Sequence, residues 1–310
     1  MRNRITQILG VKYPFISGPM RQITLGEMPA AVSNSGGFGQ IAASGLSADR
    51  LREEIQRARR LTDLPFGVNI PLHRANSFEA LEVAAEAGIR AITTSGGNPA
   101  KIMGRARGNG MRVLHKVSTV AMGLKAQDAG IAAVIAMGFE AGGHGGLNQV
   151  TTLCLVPQLV DALNIPVVAA GGIGDARGIV AVFSLGAEGV EMGTRFAATR
   201  ECPAPDYFKQ AILAANDTGT MILGEDIMPL RVLKNEASEH IAGTDTVREE
   251  DTRSVVYMDS HGDHSVSIMP AGQIAGLIRR IVPIEGLFLT LLADAGEISG
   301  KLHSFFKENV

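Results

Sequence analysis

Eight short runs rich in β-branched and small apolar residues punctuate this chain, at 16–20, 39–42, 66–70, 91–95, 112–118, 133–138, 166–172 and 189–196. Their starts recur about every 25 residues, the length of one strand, one helix and two short turns. The gaps carry helical periodicity. Leu51, Ile55, Ala58 and Leu61 fall at steps of three and four, with Arg and Glu opposite. The 77–88 segment opens on Ser77 and ends on Gly88, and 150–164 and 175–186 read the same way. The runs at 133–137 and 166–170 are almost wholly apolar, as parallel strands covered on both faces must be. Eight such units fit either a long doubly wound sheet or a closed ring. Eight is the number that closes into a filled barrel of roughly 250 residues. The expected fold is therefore α/β, a TIM (β/α)8 barrel with a helical and loop insertion after strand eight. Residues 1–201 carry the barrel units. The rhythm stops over 202–269, an insertion placed by its position at the C-terminal mouth, where it is expected to form a lid. Residues 270–310 supply the closing helix, expected over 271–282, and a helical tail.

Composition narrows the function. The 310 residues are 45% apolar, enough for one large core, and the net charge of −2 gives no electrostatic case for nucleic acid or an anionic membrane. Two cysteines, Cys154 and Cys202, make neither a zinc site nor a disulfide framework, so no metal is expected. No apolar run reaches about 18 residues, and Arg2 and Arg4 are not followed by a signal core. A reduced, cytoplasmic protein with a small-molecule substrate is the expectation, and a homodimer is compatible with it.

Barrel chemistry sits at the C-terminal ends of strands, and the unusual residues cluster there. Strand seven ends in Gly171-Gly172-Ile173-Gly174 and strand eight in Gly193-Thr194-Arg195. In many barrels these two loops hold a phosphate on backbone N–H groups, although a glycine pair also simply ends a strand. Gly172 to Gly178 resembles a dinucleotide fingerprint with Glu191 downstream, but the third glycine is one place late and the unit is the seventh, not the first. After strand six, Gly142, Gly143, Gly145 and Gly146 surround His144. Such a backbone can lie against a planar ligand and expose an imidazole suited to proton transfer; the bland alternative is a flexible loop with a solvated histidine. Lys116 alternates onto one face with Leu114 and Ser118, where burial demands an anion or a polarised ring, or else an ion pair with an acid such as Glu140. Asn69 serves a ligand edge or caps a turn. Gly18-Pro19-Met20 ends strand one, where Met20 supports a ring or joins the core. His261 and His264 lie in a polar stretch without a third ligand and read as solvated surface; Cys202 lacks an evident base.

Taken together, Gly18-Pro19-Met20, Pro65-Phe66-Gly67-Val68-Asn69, Glu140 to His144, Ala169 to Ile173, Met192 to Phe196 and Ala271 to Gly276 resemble the nitronate monooxygenase (2-nitropropane dioxygenase) family. That grouping includes FMN-dependent enoyl-acyl-carrier-protein reductases of the second type and NADH:quinone reductases. The resemblance implies non-covalent FMN on a TIM barrel, held by Gly18, Pro19, Met20, Asn69, Lys116, Gly143, Ala170, Gly171, Gly172, Gly193 and Thr194. It implies that His144 meets the substrate as base or as partner of a nitro group. The reaction it implies is oxidation of alkyl nitronates with O2. An NAD(P)H-dependent reductase of an enoyl thioester or a quinone stands as the alternative, and a non-catalytic FMN-binding module as a third reading.

Overall fold

Alternation along each run decides what the barrel encloses. The computed structural model describes residues 2–225, 229–243 and 268–307. Its strands are β1 (Phe15–Ser17), β2 (Gly39–Ala42), β3 (Phe66–Pro71), β4 (Ala91–Ser95), β5 (Arg112–Val117), β6 (Ala133–Met137), β7 (Gly143–His144), β8 (Val167–Ala170), β9 (Gly189–Met192), β10 (Thr220–Leu223) and β11 (Leu230–Leu233). Eight of them form one parallel sheet in the order β1-β9-β8-β6-β5-β4-β3-β2. A parallel bridge from Ile16 to Phe38 brings β1 back to the β2 end, so the sheet closes as the TIM barrel expected.

Alternate residues point inward. Ile16, Phe38, Ala91, Leu114, Ala133, Ile135, Val168 and Ala170 form the lumen cluster, and helix α1 (Arg4–Leu9) plugs its N-terminal end with Ile5 and Leu9. Burying each of those two side chains contributes about 1.5–3 kcal/mol. Gly67 leaves the space that the Phe38 ring fills: a Cβ there would lie 2.5 Å from Phe38 Cζ and 2.6 Å from the Ala91 carbonyl oxygen. Gly67→Ala should therefore cost about 1–3 kcal/mol by overpacking, read from urea unfolding. A loss below about 0.5 kcal/mol would mean that the lumen yields.

The outer layer comprises α2 (Glu27–Asn34), α3 (Ala48–Leu61), α4 (Ser77–Glu86), α5 (Ala100–Gly108), α6 (Val120–Asp128), α7 (Thr152–Ala162) and α8 (Ala176–Ser184). Helix α3 shows why they form. Ser47 caps it by accepting from Arg50 N at 3.2 Å, and its inner face buries Leu51, Ile55 and Ala58. After β9 come the four-residue α9 (Thr194–Ala197), then α10 (Asp206–Ala214), the β10–β11 hairpin and α11 (Glu236–Ala242).

The outer helix anticipated over 271–282 is a short 3-10 turn, Gln273–Leu277. The helix that closes the ring is α12 (Ile284–Lys307), which packs against α8 and α2. Phe288 anchors it, 5.4 Å from the Phe15 ring and 6.0 Å from the Phe196 ring. The apolar spacing of 271–282 misleads because Gly272 and Gly276 are required for close backbone contact, not for a helix. A Cβ on Gly272 would lie 2.7 Å from the Glu140 carbonyl oxygen. His261, His264 and most of the polar run at 243–254 lie outside the described residues.

Candidate active site

Above the apolar lumen, toward the C-terminal ends of the strands, the inward residues turn polar. Gln40, Asn69, Thr93, Lys116 and Glu191 are joined by side-chain hydrogen bonds. Lys116 forms an ion pair with Glu191; the two side chains are 12% and 3% exposed. An ion pair was the alternative role for this lysine, and the acid that forms it is Glu191 and not Glu140. Glu140 is engaged elsewhere, accepting from Thr152 N at 2.9 Å and from Thr152 Oγ1 at 3.0 Å at the start of α7. Asn69 is buried and donates from Nδ2 to Thr93 Oγ1 at 2.9 Å. It belongs to this layer and does not cap a turn.

Glycines rim the layer. Gly18 N donates to the Met192 carbonyl at 2.7 Å. A Cβ on Gly18 would stand 2.9 Å from Gly193 Cα, so the ends of β1 and β9 touch. Pro19 and Met20 follow, with Met20 partly buried against the core. Ala170 is buried in the lumen cluster, and Gly171 and Gly172 continue with φ of +93° and +70°, which side-chain-bearing residues rarely adopt. Gly193 differs. Its φ is −99° and a Cβ there would meet nothing within 4 Å. Among the described residues, no contact calls for glycine at that point. Thr194 Oγ1 accepts from Gly272 N at 2.9 Å. The Asp175 carboxylate caps α8, accepting from Arg177 N at 2.9 Å, so that helix start is already satisfied. Arg195 turns away to the carbonyls of Ala198 (2.7 Å) and Arg280 (2.9 Å).

The His144 loop is held from several sides. Gly143 and His144 form β7, paired antiparallel with Arg231 and Leu230 of β11, so the hairpin of the insertion extends the loop. Arg231 Nε donates to the Phe139 carbonyl at 3.1 Å, and its guanidinium lies 4.8 Å from the Phe139 ring centroid. Gln273 N donates to the Glu140 carbonyl at 3.0 Å. The loop is thus not the free glycine-rich segment that composition alone permits.

His144 itself is half-buried and, among the described residues, its Nδ1 has no hydrogen-bond partner. Burial, followed by the nearby charges of His73 and Arg74, lowers its pKa to about 4. At neutral pH it is an uncharged imidazole able to accept a proton or a hydrogen bond. Sequence reading missed His73 and Arg74, which follow β3 directly and so stand at the same end of the barrel; their position just past a strand was the available signal. It also passed over Glu191 as the partner of Lys116, and Gln40 and Thr93 as the links from Glu191 to Asn69. Their signal was polarity at inward-phased positions of otherwise apolar strands. Cys202 is buried and its thiol is pushed up by that burial, which argues against a nucleophile.

The family model for nitronate monooxygenase matches residues 2–294. This chain belongs to the nitronate monooxygenase family. A probable nitronate monooxygenase of Staphylococcus saprophyticus is 36% identical over 282 residues, covering 76% of this chain and 79% of that protein. Among solved structures, FabK from Thermotoga maritima matches with a TM-score of 0.94 and 35% identity, over 98% of this chain and 99% of its own. A nitroalkane oxidase from Streptomyces ansochromogenes matches with a TM-score of 0.87 and 27% identity, over 97% of this chain and 100% of its own. The nitronate monooxygenase family assignment makes the protein an oxidoreductase. Among the described residues, no helix of this family member is long and apolar enough to cross a membrane.

Proposed function

We propose that the protein is an FMN-dependent oxidase of alkyl nitronates that uses O2, with His144 at the substrate. The observation that carries this reading is the His144 imidazole: half-buried, uncharged at neutral pH, unpartnered at Nδ1 among the described residues, and under the influence of Arg74. A nitronate is already deprotonated and anionic. A neutral hydrogen-bonding ring beside a fixed cation suits it better than it suits a neutral carbon acid.

The residues fit FMN. Among the described residues nothing lies beside Gly193, whose φ is ordinary, so its lack of a side chain leaves room for a ligand. Backbone N–H groups around Gly171, Gly172, Gly193 and Thr194 would receive the phosphate, as barrels commonly do at their last two strands. Gly18, Pro19, Met20, Asn69, Lys116, Gly143 and Ala170 would line the ring. When bound, FMN supplies the two-electron acceptor that passes electrons on to O2. The chain's own residues bind and orient. Lys116 would offer a cation to the ring, Arg74 would attract the anionic substrate, and His144 would bond its oxygen or take its proton. The β10–β11 hairpin would cover the mouth and exclude water.

Denaturing the purified protein should release a flavin that chromatographs as FMN. Anaerobic propionate 3-nitronate should then bleach the bound flavin. Release of FAD, or no flavin after reconstitution, sinks the cofactor assignment. A non-catalytic binding module would retain FMN and bleach with nothing.

A second reading, NAD(P)H-dependent reduction of an enoyl thioester or a quinone, draws on the likeness to FabK across nearly the whole chain. It also draws on Ala271 to Gly276, a motif that resembles the enoyl reductases within the family and rests on the His144 loop. Bleaching by NADH or NADPH, with reoxidation by a crotonyl thioester and not by O2, favours that branch.

A further inference from the structure

Among the described residues, Glu191 is the most deeply buried charge at the barrel mouth, and neither reading of the reaction uses it. We propose that Glu191 is a positioning residue for the cofactor: it anchors the Lys116 ammonium and, through Gln40 and Thr93, fixes which end of the Asn69 amide is left for a ligand. This rests on the FMN reading.

The case is one of donors and acceptors. An ionised carboxylate only accepts. Oε1 of Glu191 accepts from Lys116 Nζ, and Oε2 accepts from Gln40 Nε2 at 3.2 Å. The same Gln40 nitrogen donates to the Ser17 carbonyl at 2.7 Å, so both of its protons are committed. Gln40 must then turn Oε1 toward Thr93, whose hydroxyl donates its single proton there. Thr93 Oγ1 can only accept from Asn69, and it does, from Nδ2 at 2.9 Å. Reversing the Asn69 amide would set two acceptors against each other unless every link reversed, and the carboxylate at the far end forbids that. Asn69 is thereby left with Oδ1 for a ligand, and Lys116 with two ammonium protons beyond the one given to Glu191.

Charge gives the test its sign. The Lys116–Glu191 pair sums to zero, so Glu191 partly cancels the cation offered to the flavin ring. Sulfite reports on this. Its lone pair forms a bond to flavin N5, the ring accepts the electron pair at its N1–C2=O edge, and nothing leaves, so negative charge appears on the ring. Glu191→Gln keeps the volume and removes the opposing charge. Reconstituted with FMN, this variant should bind sulfite about tenfold more tightly than wild type, equivalent to about 30 mV for a two-electron couple. Damage to the site without an electrostatic role would loosen the adduct instead. Gln40→Met cuts the chain while keeping both charges. It should raise the FMN dissociation constant about tenfold and leave sulfite affinity within about twofold of wild type.

Sulfite affinity that is unchanged or weaker in folded Glu191→Gln overturns the proposal. If that variant does not fold, wild-type FMN affinity in Gln40→Met overturns it. A wild-type protein that takes up no flavin removes both the proposal and the FMN reading, whereas bound FMN with unresponsive variants removes the proposal alone.

Discussion

His144→Ala should slow oxidation of a neutral nitroalkane by about 10²–10⁴-fold, the usual contribution of a positioned proton acceptor. A preformed nitronate needs no deprotonation and loses only a hydrogen bond to a charged group, about 1.5–3 kcal/mol or one to two decades. The ratio of the two losses is the diagnostic. The loop backbone is held by β11 whatever side chain stands at 144, so the variant should fold and keep its flavin. Turnover with the neutral substrate should also carry a pH signature. The imidazole is held neutral down to about pH 4. Base function is therefore lost as pH falls through about 4, not through the 6.5 of a solvated histidine. Between those two values the unfolded chain takes up a proton that the folded chain refuses, so His144 lowers stability as pH drops across that window. Stopped-flow traces of each half-reaction in both proteins would settle the matter. Wild-type rates throughout for His144→Ala would falsify the catalytic assignment. In the enoyl-reductase branch, by contrast, the variant should slow the thioester step while reduction by NAD(P)H survives.

Lys116→Met should destabilise the flavin-free protein by about 3–5 kcal/mol, because it strands a buried carboxylate. Glu191 is 3% exposed and would be left with Gln40 as its remaining side-chain partner among the described residues. The double variant Lys116→Met with Glu191→Leu should recover most of that loss, since well-packed apolar replacements of buried ion pairs are often neutral or better. Urea unfolding of the wild type, both singles and the double gives the cycle directly. A single-variant loss below about 1 kcal/mol would show that water screens the pair as it does at a surface. Flavin retention should follow a different order. Both lysine-free proteins lose a charge-assisted partner and should hold FMN one to two decades more weakly, about 1.5–3 kcal/mol, so the double variant regains stability without regaining affinity. That divergence separates a structural lysine from a cofactor-facing one.

Much of the candidate site was legible because its residues stand where local pattern and position coincide. Gly171, Gly172 and Gly193 end apolar runs in the seventh and eighth units, and His144 sits among glycines just past the sixth. Lys116 falls at an inward phase of β5. Each can be found by counting from a strand end. Arg74 and His73 escaped that count even though they follow β3, because nothing in their neighbourhood separates a mouth cation from a solvated loop residue.

The barrel itself follows from the sequence alone. A period of two inside short apolar runs, a period near 3.6 between them, and eight repetitions leave few ways to bury both faces of a parallel sheet. Burial is encoded residue by residue, so it can be read residue by residue. Partnership is not. Lys116 and Glu191 are separated by 75 positions, and the chain offers 31 acidic residues. Only closure of the ring, which brings the inward faces of β5 and β9 to one layer, selects Glu191 over Glu140. The pairing of His144 with Leu230 of the inserted hairpin was decided at the same level, as was the choice of α12 rather than 271–282 to seal the barrel. In both cases local apolar spacing fits more than one arrangement. The geometry of the closed barrel then picks the one that satisfies the backbone of the His144 loop and fills the gap between α8 and α2.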